Sequence, residues 1–256
     1  MKRSLDGSRE AIDSEFPWKM TRRNLGFQGG YKMSASEWQI LLARAKRGDP
    51  EAEWGVADRY GDGCKDNKGK VIVRRSARRA AQWLRRAAEH GVASAQNNLG
   101  ILFSDGNGVT KNVQEALYWF RKAFHAGDAC AASNIAMTYR ENRKLEAAVR
   151  WFRKSIATGD EDALVQLGIH YFWGRGVRKN PTAAVRCFRR ATKGENLCEA
   201  SREDAFFFLG IAYLEGKGVR ASIPNARKLF QRANVDNDHP AARDMLRAVR
   251  KSAGDP

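Results

Sequence analysis

One pattern, repeated five times, constrains this chain more than any other feature. Residues 93–127 read as a helix, a glycine loop and a second helix. Gly100 and Phe103 share one face of the first helix, and Ala116 and Phe120 lie on one stripe of the second helix. A single helix pair cannot bury its apolar face, so each pair must stack on its neighbours. The pattern therefore predicts an all-α fold of about five helix-turn-helix repeats.

The same residue types recur in every copy. First helices carry an apolar residue, a small residue and, one turn later, an aromatic residue, at Val56-Ala57…Tyr60, Leu99-Gly100…Phe103, Ile135-Ala136…Tyr139, Leu167-Gly168…Tyr171 and Leu209-Gly210…Tyr213. Second helices carry the stripes Ala80/Leu84/Ala87, Ala116/Phe120/Ala123, Ala148/Phe152/Ser155, Ala184/Phe188/Ala191 and Ala226/Phe230/Ala233. The small residue should let the second helix approach closely, and the loop glycines should supply positive φ angles.

These positions set the predicted organisation of the chain. Repeats are expected at residues 50–91, 93–127, 129–159, 162–194 and 204–236, with capping helices at 35–48 and 240–251. Residues 1–34 show no periodicity and predict a loose N-terminal arm. The aromatic side chains of this arm either fold back onto the repeats or wait for a partner.

The combined pattern A-x-x-x-L-G-x-x-Y-x-x-G-x-G-V, followed by A-x-x-W-F/Y-x-x-A, resembles the Sel1-like repeat family, whose members are relatives of tetratricopeptide repeats. The resemblance covers about residues 50–235. It implies a right-handed α-solenoid that acts as a scaffold, adaptor or regulator through protein contacts.

The chain departs from the family pattern in three places. An insertion of nine residues, rich in lysine and arginine, is expected between Gly63 and Ala80. The third repeat lacks the glycine loop, and residues 194–204 add roughly half a dozen residues before the fifth repeat. These are the places where specificity is expected.

Solenoids of helix pairs present their first helices on a concave face. First-helix residues that avoid the packing stripe are therefore expected to form a partner-binding groove, here called the groove set: Trp54, Asn97, Met137, Arg140, Ile169, Phe172, Trp173, Phe207 and Ile211. Its large aromatic side chains predict a hydrophobic contact site. The alternative is that tight curvature or the arm buries them.

The net charge of +17, from 46 Lys and Arg against 29 Asp and Glu, favours acidic partners. Paired cations recur on the second helices with the repeat period and predict one convex basic stripe. An alternative function is therefore nucleic-acid binding through Lys70, Arg74, Arg75, Arg78 and Arg79. The pattern places no aromatic residues among the cations of this face, which argues against base stacking.

No catalytic residue, metal-ligand set or cofactor site is predicted. The four histidines form no H-E-x-x-H motif, and the G-x-G loops follow helices rather than strands, as structural turns would. No apolar run is long enough for a membrane span. Four cysteines without a C-x-x-C pair predict reduced thiols in the cytoplasm.

The leading hypothesis is a non-enzymatic, cytoplasmic protein that binds an acidic partner protein in its groove. The resemblance admits two versions, an inhibitor of the bacterial immunity type and a signalling or assembly adaptor. The sequence does not set the oligomeric state, and a monomer is the working expectation.

Overall fold

The computed structural model describes residues 31–235 and 239–253, so the predicted arm lies outside the described residues up to residue 30. The described helices are α1 (Ala35–Lys46), α2 (Pro50–Asp62), α3 (Ala77–Glu89), α4 (Ala93–Asp105), α5 (Val113–His125), α6 (Ala131–Glu141), α7 (Leu145–Ala157), α8 (Asp162–Trp173), α9 (Pro181–Ala191), α10 (Glu199–Glu215), α11 (Ile223–Ala233) and α12 (Pro240–Ala253). The strands are β1 (Tyr31–Lys32), β2 (Cys64–Lys65) and β3 (Val71–Val73).

The chain divides into two compact units after Ala163. In the first unit, α1 to α7 contact one another in chain order, with the pairs α2/α3, α4/α5 and α6/α7 in closest contact. In the second unit, α9 to α12 also pack in chain order, and α10/α11 form the closest pair. Contacts made mainly within one repeat and with the adjacent repeat are the mark of repeat proteins. The prediction of an all-α, helix-turn-helix repeat with capping helices is confirmed.

A glycine on the first helix receives a phenylalanine ring from the second. A β-carbon at Gly100 would lie 2.6 Å from Cδ1 of Phe120, and one at Gly210 would lie 2.6 Å from Cε1 of Phe230. Real β-carbons do not come that close to a ring atom, so only glycine permits this approach of the two helices. The predicted reason for the small residue is correct, and its contact is the ring on the second helix.

The second glycine of the loop packs on the preceding repeat. Gly106 and Gly108 have φ angles of 75°, which is the left-handed region that glycine adopts without strain. A β-carbon at Gly108 would overlap the backbone carbonyl of Ala77, and one at Gly218 would overlap that of Pro181. Both carbonyls belong to the first residue of a second helix, so each loop rests on the start of such a helix.

One backbone hydrogen bond fixes the turn inside all five helix pairs. The residue that precedes each second helix donates its N–H to the carbonyl of the first-helix aromatic residue: Ser76 to Tyr60, Asn112 to Phe103, Lys144 to Tyr139, Asn180 to Tyr171 and Ser222 to Tyr213, at 2.7–2.9 Å. In every pair but the third, the Ser or Asn side chain of that residue caps the second helix by accepting an amide N–H. The second helix therefore starts from the same anchor in each of these pairs.

The third repeat turns without glycine. Its residues after α6 place Arg143 at φ 57°, which for a non-glycine residue is uncommon. The N–H of Arg143 donates to the carbonyl of Arg140, and that of Lys144 donates to the carbonyl of Tyr139. The predicted loss of the glycine loop is confirmed.

The insertion in the first repeat supplies two strands of a small sheet that was not predicted, and residues 31–32, predicted to belong to the loose arm, supply the third strand. Strands β2 and β3 pair antiparallel, and β1 adds to β2 in parallel, giving the order β1-β2-β3. Sixteen residues separate the anchor residues Tyr60 and Ser76, against nine between Phe103 and Asn112. The insertion is therefore seven residues. The expectation of nine was wrong because it equated Gly63 with the second loop glycine, Gly108, whereas Gly63 follows α2 as Gly106 follows α4.

Substituting Gly168, whose β-carbon would lie 2.5 Å from Cε1 of Phe188, tests the glycine–ring contact. Gly168→Ala should lower the free energy of unfolding by about 1–3 kcal/mol, because overpacking forces the helices apart. Adding Phe188→Leu should recover most of the loss, since the first repeat combines Ala57 with Leu84 at these positions. Chemical denaturation measures both effects.

Gly55→Ala is the matched control. This helical glycine has room for a β-carbon, whose closest contact would be an ordinary 3.4 Å. Alanine should therefore leave stability equal or higher, by up to about 1 kcal/mol of helix propensity. Equal losses for Gly55→Ala and Gly168→Ala would refute the glycine–ring constraint.

Candidate functional site

The aromatic residues expected to line an open groove are buried. Phe172 and Phe207 have no exposed surface. The Phe172 ring lies 5.0 Å from that of Trp173 and 6.4 Å from that of Phe188, while the Phe207 ring lies 5.3 Å from Phe208. The expectation that these side chains are exposed was wrong, and the alternative of burial is correct.

Most of the groove set shares this burial. The side chains with at most 4% exposure are Asn97, Met137, Ile169 and Ile211. Asn97 shows the physical reason, since its Oδ1 accepts a hydrogen bond from Nδ2 of Asn134 at 2.8 Å. That bond joins the first helices of adjacent repeats, α4 and α6, so positions assigned to a groove lie between helices. Whether the groove set contacts a partner stays a prediction.

Trp54, Arg140 and Trp173 are the half-buried members of the groove set. The indole of Trp173 has a cation beside it, because Nζ of Lys217 lies 5.5 Å from the centroid of its ring and of the Phe172 ring. Lys217 also pairs with Glu215 at 2.7 Å. These three residues form the part of the groove set that reaches solvent.

In three of the cation pairs on second helices, Arg85-Arg86, Arg121-Lys122 and Arg189-Arg190, the first member reaches the aromatic residue of the next repeat. Nη2 of Arg121 donates to the hydroxyl of Tyr139 at 2.6 Å, and Nη2 of Arg189 donates to that of Tyr213 at 2.8 Å. Arg85 lies over the ring of Phe103, 5.5 Å from its centroid. These arginines, expected to form one convex basic stripe, hold successive repeats together.

In the pairs Arg85-Arg86, Arg121-Lys122 and Arg153-Lys154, the second member lies over an indole of its own helix. Lys154 is 4.2 Å from the ring centroid of Trp151, Lys122 is 5.2 Å from that of Trp119, and Arg86 is 4.6 Å from that of Trp83. Rings and cations therefore alternate on this face. The inference that aromatic residues are not interleaved with the cations was wrong. It was drawn from positions in the sequence, whereas the rings and cations meet on the packed surface.

A cation held by a ring keeps its charge. A carboxylate partner cancels a positive charge, whereas an aromatic ring or a tyrosine hydroxyl orients the cation and leaves its field intact. Arg86 is the exception, since its Nη2 also lies 2.7 Å from the buried carboxylate of Glu53, which His90 contacts at 2.7 Å. Elsewhere these contacts build an oriented positive surface.

A second basic surface lies on the sheet of the first repeat. Of the residues expected to bind nucleic acid, Lys70, Arg74, Arg75, Arg78 and Arg79 are all exposed. Arg79 lies 5.5 Å from the ring centroid of Tyr60. Burial raises the pKa of the neighbouring Asp62, and the charge of Arg75 partly opposes that rise.

A family model and several solved structures match this chain. The family model described as Sel1 repeat matches residues 50–92, 93–128, 141–160, 161–196 and 204–234. The third match begins at the turn of the repeat that lacks the glycine loop. The chain belongs to the Sel1 repeat family.

Solved structures agree with the family. A Sel1 repeat protein from Oxalobacter formigenes is 27% identical, with a TM-score of 0.67 over 83% of this chain and 80% of that one. A protective antigen present in uropathogenic Escherichia coli strains, which displays an SLR fold, is 25% identical, with a TM-score of 0.60 over 85% of this chain. This chain spans about half of that antigen, 52% of its length. The comparison with curated proteins gives no significant match.

Membership in the Sel1 repeat family sets the fold class and the coarse role. The chain is an α-solenoid of helix pairs, and Sel1 repeat proteins generally mediate protein–protein interactions, as scaffolds do. The family is generally non-enzymatic.

The titratable groups of the described residues serve the repeat structure. Nδ1 of His170 lies 2.6 Å from the carbonyl of Arg175, in the loop after α8. Burial raises the pKa of the Cys64 and Cys187 thiols. Within the described ranges no cluster of His, Cys, Asp and Glu could hold a metal ion, and no helix is long and apolar enough to cross a membrane.

The contacts between cations and the next repeat follow a regular spacing in the sequence, which could have predicted them. Arg121 precedes Tyr139 by 18 residues, and Arg85 precedes Phe103 by the same interval, while Arg189 precedes Tyr213 by 24. The longer interval contains the additional residues before the fifth repeat. A search for basic residues at fixed distance from the repeat aromatic would have found them.

A double-mutant cycle on Arg121 and Tyr139 measures the coupling between repeats. Arg121→Gln and Tyr139→Phe should each lower the free energy of unfolding, with a coupling of about 0.5–1.5 kcal/mol for a hydrogen bond to a charged donor. Denaturant titration of the four proteins gives this value. A control cycle pairs Tyr139 with the exposed Arg150, and a coupling of equal size there would show that Arg121 is not special.

The burial of the groove set changes what alanine substitutions should do. Phe172→Ala and Phe207→Ala should each lower the free energy of unfolding by about 3–5 kcal/mol, because each leaves a cavity in the packed core. Trp173→Ala, at a half-buried site, should cost less than either. Thermal melts report the order, and full retention of the melting temperature by Phe207→Ala would contradict its burial.

Proposed function

We propose that this Sel1 repeat protein is a non-enzymatic scaffold or adaptor that binds an acidic partner protein. A role as an inhibitor, of the kind that immunity proteins serve, is one version of this proposal. The observation that supports it is the set of cations held by aromatic side chains on the second helices. Because rings fix these cations without cancelling their charge, the surface is oriented and positive before any partner arrives.

The exposed rim of the groove set supplies the apolar part of the proposed contact. Trp54 and Arg140 in the first unit supply an indole and a guanidinium group, and Trp173 in the second unit supplies another indole. Tryptophan and arginine are the residue types enriched at contact hot spots. We propose the cytoplasm as the location, on the interpretation of the cysteines as reduced thiols, and a monomer as the working state.

A nucleic-acid partner is the second candidate. Tyr118 is 49% exposed, and Nζ of Lys122 lies 5.1 Å from its ring centroid. An exposed ring beside a cation is a place where a base could stack next to its phosphate. The indoles of this face offer less, because cations already cover them and the core holds one side.

The test is capture from the lysate of the source organism, with and without nuclease, followed by binding measurements on the purified, identified partner. Each exposed charge contributes about 0.5 kcal/mol, so Lys122→Gln with Lys154→Gln should weaken binding about fivefold. The control variant carries Lys111→Gln and Lys144→Gln, which remove two exposed loop charges.

Two results would overturn the proposal. Equal affinity of both variants would show that the cations held by rings do not contact the partner. Loss of all captured material after nuclease, together with a steep fall of binding with salt, would make nucleic acid the partner.

A further inference from the structure

The basic hairpin, residues 64–75, is a rigid element. Oδ1 of Asp66 accepts hydrogen bonds from the backbone N–H groups of Lys68 and Lys70, at 2.8 and 2.9 Å. The N–H of Asp66 donates to the carbonyl of Lys70, and Gly69 has a φ of 82°. This closed turn fixes the backbone from which the lysines project, so the entropy lost on binding is small.

The hydrophobic core anchors one face of the basic hairpin. Cys64 and Val73 are buried in the cluster that contains Trp38 and Val56. The anchoring bond of the repeat follows the hairpin directly, at Ser76. The hairpin is therefore an ordered platform and not a loose loop.

The cations of the basic hairpin differ from those of the second helices. Lys65, Lys68, Lys70 and Arg74 are exposed, and none has a ring or carboxylate contact among the described residues. Two acids lie nearby, Asp62 and Asp66, and Oδ1 of Asp66 accepts the N–H groups that close the turn. Five cations, counting Arg75, against two carboxylates leave the platform with a net positive charge.

Two of these cations, Lys65 and Arg74, line a depression. It is open, has a volume of about 750 Å³, and its other charged lining residues are Lys32, Arg75, Asp62 and Asp66. Val71, which is 50% exposed, and Val73 also line it. The surface therefore combines four cations and two carboxylates with apolar side chains, and no aromatic ring is among the lining residues.

We infer that the basic hairpin binds an acidic segment of a partner protein, in which carboxylates alternate with apolar residues. This inference rests on the proposed function and names the class of partner and its site. The guanidinium groups of arginine and the ammonium groups of lysine pair with carboxylates. The valines can pack against the apolar side chains that lie between those carboxylates. Nucleic acid fits less well, because bases would find no ring to stack on.

The contact is made through side chains and not by extending the sheet. The edge strands β1 and β3 have only two and three residues. Very short edge strands and flanking lysines are features that protect a sheet edge from another strand. The bound segment therefore lies across the depression.

Binding of a short peptide that alternates glutamate and valine, measured by fluorescence anisotropy on the full chain, tests the inference. The variant Lys65→Gln, Lys68→Gln, Lys70→Gln, Arg74→Gln should weaken binding at least about tenfold, since four contacts of modest strength are lost. The matched control removes four exposed cations elsewhere, by Arg178→Gln, Lys179→Gln, Arg186→Gln and Arg220→Gln, and should change the affinity less than about twofold.

A charge swap gives an independent readout. The variant Lys65→Glu, Lys68→Glu, Lys70→Glu, Arg74→Glu should bind a peptide that alternates lysine and valine, which the wild type rejects. In NMR spectra of the wild type, the glutamate peptide should shift the methyl signals of Val71 and leave those of the exposed Ile223 unchanged. Melting temperatures of all variants should match the wild type, because the substituted side chains are exposed.

The outcomes separate this inference from the proposed function. Equal loss in the hairpin and control variants would mean that only net charge matters and would overturn the hairpin site. Loss of peptide binding only in the variant with Lys122→Gln and Lys154→Gln would overturn the hairpin site and leave the proposed function standing. Tighter, hairpin-dependent binding of an oligouridylate of matched charge would overturn the acidic protein segment as the ligand class.

Discussion

The contact between a first-helix glycine and a second-helix phenylalanine sets the spacing of three helix pairs. Where Gly100, Gly168 or Gly210 stands, a β-carbon would enter a ring at 2.5–2.6 Å. The ring therefore packs directly against the backbone of the first helix. A loop glycine, Gly108 or Gly218, rests on the start of the preceding second helix. In these pairs the close approach depends on one missing methyl group, whereas the first and third pairs carry alanine at this position.

Stacked pairs also determine what the cations do. A second helix presents its outer face beside the aromatic residue of the next repeat, so an arginine there finds a ring or a hydroxyl, as Arg121 finds Tyr139. In α3, α5 and α7 the next residue of the pair turns to an indole of its own helix. These cations therefore serve two purposes. They join repeats, and they maintain a positive surface wherever a ring or a hydroxyl, and not a carboxylate as at Arg86, holds the cation.

The sequence predicts the elements of this fold well because its signals are local. Gly100, Phe103 and Phe120 lie within one helix pair, and their period specifies the pair. The exposure of a side chain is harder to predict, because it depends on residues of the adjacent repeat. Asn97 belongs to the predicted groove by its position on the helix, yet Asn134 of the next repeat covers it. The hairpin escaped prediction because three strand residues within a basic stretch give too short an alternation to detect.

The repeat architecture explains why a binding surface specific to this protein can form at the basic hairpin. Most surfaces of a repeat are fixed by the repeats beside it, so a change there disturbs two interfaces. Between Tyr60 and Ser76 the chain can lengthen without such a cost, because the hydrogen bond that joins them, at 2.7 Å, matches the 2.8 Å bond of Asn112 to Phe103. The helices start and end as in the other pairs whatever lies between these anchors. Residues inserted between these anchors therefore add a new surface to the protein and leave the packing of the repeats unchanged.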